Sequence, residues 1–455
     1  MSKKFKKIIS AILTLLILSS CFVFASAEEH EEILIINPYE DVIWKGENAW
    51  RGYKGSLHTH STYSDADVTL REMVMEYYKQ GYGFLAMADH SVTGVEWNKA
   101  PNEFFIYKYQ LLLGNKQEHL TDEEYEAVIN GTYPMPEGET RDFGLTCITG
   151  ANELNGLTLT KSHVVAYGLD YNVGTGHAGK ENGFRSAVEF AENNGGFSVI
   201  AHPGDWLESR DNMSAIYDEK NIKLFSEIFL DHDTCLGMEI FNEDNGVTPY
   251  DRNLWDNILM ETLPHGRLVL GFSNSDAHTL EKVDSSFAVF MMPDNSAEQV
   301  NKTMHSGNFF AVTRKVHKNE VLGPDVTYNV IDRKLPVPMA TNVEVDGAKI
   351  TMEVENADFV QWVANGKVIA KTIVDGTGTS VLDLNEIEGS EDFLYVRAEI
   401  SGEGGLAASQ PFVIEKETEE YKKDTSFLSW LEDFFFTIKS TRLYVVIQEL
   451  IRAIA

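Results

Sequence analysis

Between about Gly52 and Val312 the chain alternates short apolar runs with stretches of helical period, a rhythm that restricts it to a parallel α/β sheet or barrel covered by helices. The candidate strands are Gly55–His58, Phe84–Ala88, Leu145–Thr149, His163–Gly168, Phe197–Ala201, Gly237–Phe241, Leu268–Phe272 and Phe287–Met292, with helical stretches such as Leu70–Gln80 and Phe184–Asn193 between them. Seven or eight such units predict a barrel. A mixed aromatic and charged insert over 97–144 interrupts the rhythm and is long enough for a lid or substrate-selecting excursion over the barrel mouth. After Pro338 the pattern becomes short alternating strands punctuated by Asp-Gly, Asn-Gly and Gly-Gly turns: Asn342–Val345, Lys349–Val354, Phe359–Val363, Lys367–Ile373, Phe393–Ile400 and Pro411–Ile414. The expected division is therefore a barrel portion over 28–338, a small β-sandwich over 339–416 and a tail over 417–455. In the tail, Thr425 or Ser426 caps an amphipathic helix with Phe427, Leu431, Phe434, Phe435 and Ile438 on one face, followed by a second apolar set from Leu443 to Ile454. Packing on the protein's own surface is favoured over contact with a membrane or cell-envelope surface, because Glu432 and Asp433 disfavour anionic lipid.

Residues 1–27 read as an export signal. Four lysines lie within residues 3–7, an apolar run extends from Ile8 to Phe24, and Ala25-Ser26-Ala27 supplies the small residues of a cleavage site. An uncleaved anchor and lipidation at Cys21 are the minor alternatives; the apolar Phe22-Val23-Phe24 suits a lipoprotein tether poorly. Export makes a Cys147–Cys235 disulfide chemically permissible, but both cysteines lie in strand-like apolar stretches, which favours buried thiols. Three cysteines exclude a disulfide scaffold and a cysteine zinc site. With 38 basic against 70 acidic residues, a formal net charge of −32, the chain repels polyanions unless a local site reverses the field, so nucleic acid is not the expected partner.

The chemistry is carried by histidines. Six of the thirteen fall at or beside the ends of candidate strands, each in a short polar cluster. In His58-Thr59-His60 two imidazoles share one face of an extended strand and can grip one cation, and Asp276-Ala277-His278 repeats that period-two logic with a carboxylate. Asp89-His90 ends Phe84–Ala88, Glu153 follows Leu145–Thr149, His163 opens its strand and His202-Pro203 ends Phe197–Ala201. In a barrel the C-terminal strand ends converge on one mouth, so residues spread over more than 200 positions would meet in space.

The ordered runs SLHTHSTYSDA, MADHS, GANE with SHVVAYG, IAHPG, MEIFN and SNSDAH resemble the metal-dependent hydrolases of the polymerase and histidinol phosphatase (PHP) family over about residues 52–312. The strand-rich FLYVRAEISGEGGLAASQPFVI is similar to the secreted branch that includes carbaryl hydrolase, a carbamate-cleaving enzyme. The resemblance implies a distorted (β/α)7 barrel with two or three divalent ions, zinc, manganese or iron. It also implies that His58, His60, Glu153 and Asp276 hold the first ion, and that Glu153 bridges to a second held by His163 and His202. Asp65, His90 and His278 would hold the third, with Ala66 standing where many relatives have glycine. Cations in this arrangement lower the pKa of a bridging water and clamp the oxygens of the transition state, with Glu153 bridging and Asp276 also holding the attacking water. Asp89 is expected either to orient a histidine or to cap a turn. Glu239 and Asn242 support the site or touch substrate, or Glu239 pairs with a cation across the barrel. Trp206 and Arg210 either shape a pocket or pack, and His177, His232, His265 and His305 read as surface residues.

The leading function is an exported phosphoesterase acting on small phosphate esters. Its rival is a carbamate, ester or amide hydrolase using the same ions, kept open because only Lys161 and Arg185 lie near the motifs and no arginine adjoins a ligand position. A degenerate barrel serving as a cell-surface binding protein is disfavoured, since every ligand position is filled.

Overall fold

The computed structural model describes residues 33–90, 92–101, 112–154, 162–170, 180–243 and 248–423, together with Leu431. The export signal, the tail helix, Lys161 and His177 lie outside them. From Leu34 onward the chain is one compact unit of mixed α/β structure.

In chain order its main elements begin with β1 (Arg51–Ser56), α1 (Leu70–Lys79), β2 (Phe84–Ala86), α2 (Asp122–Ile129), β3 (Thr146–Ile148), β4 (Asn152–Leu154) and β5 (Val164–Tyr167). There follow α3 (Lys180–Asn193), β6 (Phe197–Ile200), α4 (Glu219–Asp231), β7 (Cys235–Asn242), α5 (Asp251–Thr262), β8 (Leu270–Asn274), β9 (Ser286–Met292), α6 (Ala297–Ser306) and β10 (Phe309–Thr313). Local chemistry sets the helix starts: Thr69 with Glu72 and Thr121 with Glu124 form capping boxes, and the hydroxyl of Ser296 caps α6. α1 then buries Leu70, Met73, Val74, Tyr77 and Tyr78 at helical spacing.

The eight candidate strands are all present, with ends that coincide or shift by up to four residues. β4 and β10 were not anticipated, β4 because its three residues follow β3 after only a glycine turn. The strands hydrogen-bond into two sheets rather than a closed ring. One runs β3-β2-β1-β9-β10 and onward, the other β4-β5-β6-β7-β8. Two parallel bridges connect them, Thr59 with Ala277 and His90 with Glu153. Nor is the arrangement parallel throughout: β1-β2-β3 and β6-β7-β8 are, whereas β5 runs antiparallel to β4 and β6, and β9 antiparallel to β1 and β10. The link from Leu154 to Val164 is too short for the helical crossover that a parallel β4–β5 pair would need. Where β7 meets β8, the backbone carbonyl of Leu270 fills the space a Cβ on Gly237 would take, so only glycine fits there.

The C-terminal strands are β11 (Met339–Asp346), β12 (Lys349–Ala364), β13 (Lys367–Asp383), β14 (Tyr395–Gly402), β15 (Gly405–Ala408) and β16 (Phe412–Ile414). The expected separate sandwich is instead continuous with the first sheet, because β15 pairs with β10 through Ala311–Ala408, Val312–Ala407 and Thr313–Leu406. Small residues in Gly405–Ala408 let this edge close on the buried β10. The insert also differs from a lid in its described part. Arg71 pairs with Glu124, the Tyr78 hydroxyl donates to the Tyr133 carbonyl at 3.0 Å, and Leu145 N–H donates to Val128, so this part lines the flank of α1. Among its described residues, Lys116 and Gln117 reach the site rim, at Thr62.

A buried ionic cluster joins α5 to β14. Arg397 Nε and Nη2 donate to Asp256 at 2.7 and 2.8 Å, Arg397 Nη1 donates to Glu399 at 2.7 Å, and Arg252 donates to the other Glu399 oxygen at 2.7 Å. Removing one member leaves uncompensated charge inside, so Arg397→Leu is expected to cost roughly 3–5 kcal/mol of stability. Urea unfolding followed by tryptophan fluorescence measures this; a loss below about 1 kcal/mol would mean that the cluster does not tie the C-terminal strands to the rest.

Candidate metal centre

The strand ends that face the bridged seam carry the acids and imidazoles. Thr59 turns its hydroxyl to the Ala277 carbonyl at 3.1 Å, which leaves His58 and His60 on the opposite face with ring centroids 5.2 Å apart. Asp276 N–H donates to the His58 carbonyl and His60 N–H to the Ala277 carbonyl, so the ends of β1 and β8 are pinned together at the site. His278 stacks on His60 at 4.4 Å. His202 and Asp276 adopt positive φ values of 27° and 45°, unusual for residues with a Cβ and typical of sites where a side chain must be aimed.

All nine residues singled out as ligands lie in one connected cluster. His58 Nε2 is 3.2 Å from His60 Nε2 and 3.3 Å from both Glu153 Oε2 and Asp276 Oδ1. His60 Nε2 lies 3.0 Å from Glu153 Oε2 and 3.2 Å from Asp276 Oδ1. Four donors tetrahedral about an ion at 2.0–2.1 Å stand about 3.3–3.4 Å apart, so this quartet fits one divalent cation. A second observation agrees: Asp276 Oδ1 is buried and accepts no hydrogen bond, although two imidazole nitrogens face it. Lone pairs gathered this way call for a positive charge among them.

The other oxygen of Glu153 extends the cluster. Oε1 lies 2.9 Å from His163 Nδ1 and 3.1 Å from His202 Nε2, while His90 Nδ1 approaches Oε2 at 3.1 Å. Asp65, half exposed, stands 3.5 Å from His60 Nδ1, 3.5 Å from His90 Nε2 and 3.3 Å from His278 Nε2. The donor atoms of His90, Glu153 and His163, and those of His60, Asp65 and His90, are each close enough to share an ion. Ala66 needs no glycine, since its φ is not in the left-handed region.

Burial opposes ionisation of Glu153 and Asp276, but the surrounding imidazoles outweigh it: His163, His90 and His58 hold Glu153, and His58 and His60 hold Asp276, well below the usual carboxylate range. Burial likewise disfavours the charged forms of His58 and His60, yet the carboxylates raise both well above an ordinary histidine. Burial carries His90 down to about 4, whereas the Glu153 hydrogen bond overcomes burial and lifts His202 to about 9. The negative field that retains protons here is the same one that would attract a cation, and ion binding must release those protons.

Supporting residues complete the site. Glu239 pairs with His58 Nδ1 at 2.9 Å, not with a lysine or arginine, and Asn242 Nδ2 reaches both Glu239 at 2.8 Å and Asp276 Oδ2 at 3.4 Å. Asp89 accepts from Ser61 N–H and the Ser64 hydroxyl at 2.7 Å each, and Ser64 Oγ lies 3.1 Å from His60 Nδ1, so the carboxylate acts on His60 through a serine. Sequence reasoning missed Ser64 and Asn274; period-two spacing from Asp276 back through SNSDAH was the available signal for Asn274. Trp206 packs on Phe184 and Phe225, Arg210 is exposed, and Arg185 is committed to Asp231 at 2.7 Å. His232, expected on the surface, is buried and paired with Glu192 at 2.7 Å. His265 is partly buried and His305 exposed. Both described thiols are free, Cys235 buried and Cys147 partly so.

No family model and no curated protein matches the chain. Among solved structures, it is similar to a two-domain Bacteroides vulgatus protein described as containing a PHP-like metal-dependent phosphoesterase, at 14% identity and a TM-score of 0.41, covering 80% of this chain and 96% of that one. A Bifidobacterium adolescentis protein described as a metal-dependent phosphoesterase matches at 14% identity and a TM-score of 0.30, over 57% of this chain and 98% of that one. A lesion-specific endonuclease from Pyrococcus furiosus matches at 15% identity and a TM-score of 0.29, over 56% of each chain. These scores are low, so the chemistry is read from the side chains themselves.

Protonated His202 contributes stability that is complete below its unfolded value of 6.5 and is lost as pH rises through about 9. Chelated protein is therefore expected to lose melting temperature from about pH 7 to 10, while added zinc or manganese, which needs the deprotonated imidazole, stabilises it most at the upper end. Calorimetry with and without metal tests this; parallel profiles would contradict it.

Proposed function

We propose that this chain is a metal-dependent hydrolase of the PHP type acting on small phosphate esters, built on two bridged sheets rather than a closed seven-stranded barrel, and exported to the cell envelope or beyond. The observation that carries the reading is the buried quartet of His58, His60, Glu153 and Asp276, in which the two imidazoles stand 3.0–3.3 Å from one another and from both carboxylates. These four would hold a first divalent ion, Glu153 with His163 and His202 a second, and Asp65, His90 and His278 a third. Zinc, manganese or iron bound there would acidify a water and neutralise a phosphoryl group, which in a chain of net charge −32 gives an anionic substrate a local place to settle.

The protein's own residues then divide the work. Glu153 and Asp276 stay ionised at neutral pH, so they accept and orient rather than donate protons. Asn242 holds Asp276 through Oδ2, which leaves Oδ1 directed at His58 and His60. The strand ends fix these positions more firmly than loops would. The export signal over residues 1–27 supports an extracytoplasmic location, and mass spectrometry of the processed protein should find Glu28 at its N-terminus; an intact Met1 would contradict cleavage there.

Purified protein is expected to carry two or three equivalents of transition metal by elemental analysis. It should hydrolyse p-nitrophenyl phosphate in preference to a naphthyl carbamate, lose turnover on chelation, and fall by about a hundredfold or more in kcat/KM with Asp276→Asn. Turnover of the carbamate alone would move the substrate to carbonyl compounds. Absence of both activities in metal-loaded protein would sink the hydrolase reading.

A further inference from the structure

We infer that Glu239 is the positioning residue of the centre, a carboxylate that touches no reacting atom but fixes two of the ligand-bearing strand ends at once; this rests on the metal-dependent reading above. Glu239 lies in the middle of β7 and is fully buried. Each of its oxygens faces two donors. Oε1 has His58 Nδ1 at 2.9 Å and Asn274 Nδ2 at 2.9 Å; Oε2 accepts from the His202 backbone N–H at 3.1 Å and Asn242 Nδ2 at 2.8 Å. With both oxygens occupied, this carboxylate has no lone pair left to direct at an ion, which separates its role from those of Glu153 and Asp276.

The contact with His58 decides a tautomer. A carboxylate oxygen at 2.9 Å from Nδ1 places the ring proton there, so Nε2 presents its lone pair to the space shared with His60, Glu153 and Asp276. The opposite tautomer would push a hydrogen into that space and displace a cation. The contact with His202 is of another kind. Its backbone stands at φ 27° and ψ 56°, a conformation a residue with a Cβ adopts only when held, and Glu239 Oε2 accepts the N–H that holds it. His58 follows β1 and His202 follows β6, strands of different sheets, so one side chain on β7 sets the relative placement of donors from both. Asn242 and Asn274 keep that side chain from turning.

The test uses the full chain, metal-free and titrated with cobalt(II), with binding followed by visible absorption and calorimetry, and with histidine-selective 15N spectra of the metal-free form at alkaline pH, where the His58 ring has given up its second proton and the remaining one reports the tautomer. Glu239→Gln keeps the shape but turns an amide NH2 toward two donors. It is expected to weaken cobalt binding about tenfold to a hundredfold and to change the His58 ring-nitrogen pattern away from an Nδ1-protonated tautomer. His58→Asn identifies the His58 signals. Should Glu239→Gln fail to fold, Asn274→Ala loosens the same carboxylate while leaving it charged, and a several-fold weaker affinity is then expected. Cobalt affinity within about twofold of wild type together with an unchanged His58 pattern would overturn the inference. Wild-type protein that binds no cobalt would instead overturn the metal-dependent reading. In that case the His58 spectrum of Glu239→Gln still decides whether the carboxylate sets the tautomer.

Discussion

Glu153 is the point on which the arrangement depends. It is a buried carboxylate whose two oxygens stand within 2.9–3.3 Å of nitrogens from five imidazoles, those of His58, His60, His90, His163 and His202. An anion withdrawn from water is costly unless its surroundings supply compensating charge, and no single neighbour here supplies enough. Compensation needs the ends of several strands gathered around one side chain, which explains why β4 exists although it is only three residues long. Its pairing with β5 and the bridge from Glu153 to His90 hold that carboxylate at the junction.

The helix α5 relates this centre to the rest of the molecule. Asp251, at its start, accepts the Gly204 N–H at 3.2 Å, two residues beyond His202. Arg252, the next residue, and Asp256, more than a turn further along, enter the ionic cluster with Arg397 and Glu399 on β14. The C-terminal strands thus press on the same rigid element that braces a site loop. That gives a physical reason for their continuity with the first sheet, beyond the pairing of β15 with β10.

Much of the fold was legible in the chain because short apolar runs with period-two or unbroken hydrophobicity mark strands directly. Part of the donor cluster was legible for a related reason: His58 and His60 flank the bridged Thr59 in extended backbone, so spacing already told that they share a face, whereas Asp276 reaches them through a positive φ of 45° that spacing does not reveal. What escaped was decided by contacts remote in sequence. Lys349–Val354 and Phe359–Val363 are one strand, β12, because register shifts near Asn356 absorb the polar interruption between the two candidate strands. Asp375-Gly376 likewise bends β13 without ending it. His232 is inside because Glu192 of α3 meets its Nδ1, and Arg185 is unavailable because Asp231 of α4 claims it; neither partner is near in sequence. Glu239 stood in an apolar strand with three open readings, and only the positions of His58, Asn274 and the His202 backbone select among them.

The two sheets meet through the Thr59–Ala277 and His90–Glu153 bridges, and the acids and imidazoles lie along that seam. A cation seated there would act as a rivet as well as a reagent, drawing together edges that backbone pairing joins only sparsely. Chemistry and cohesion then share one set of bonds. Mutational drift at any of these positions would then be penalised twice, which would restrict how such a centre can change its donors without the chain first acquiring another way to close the gap.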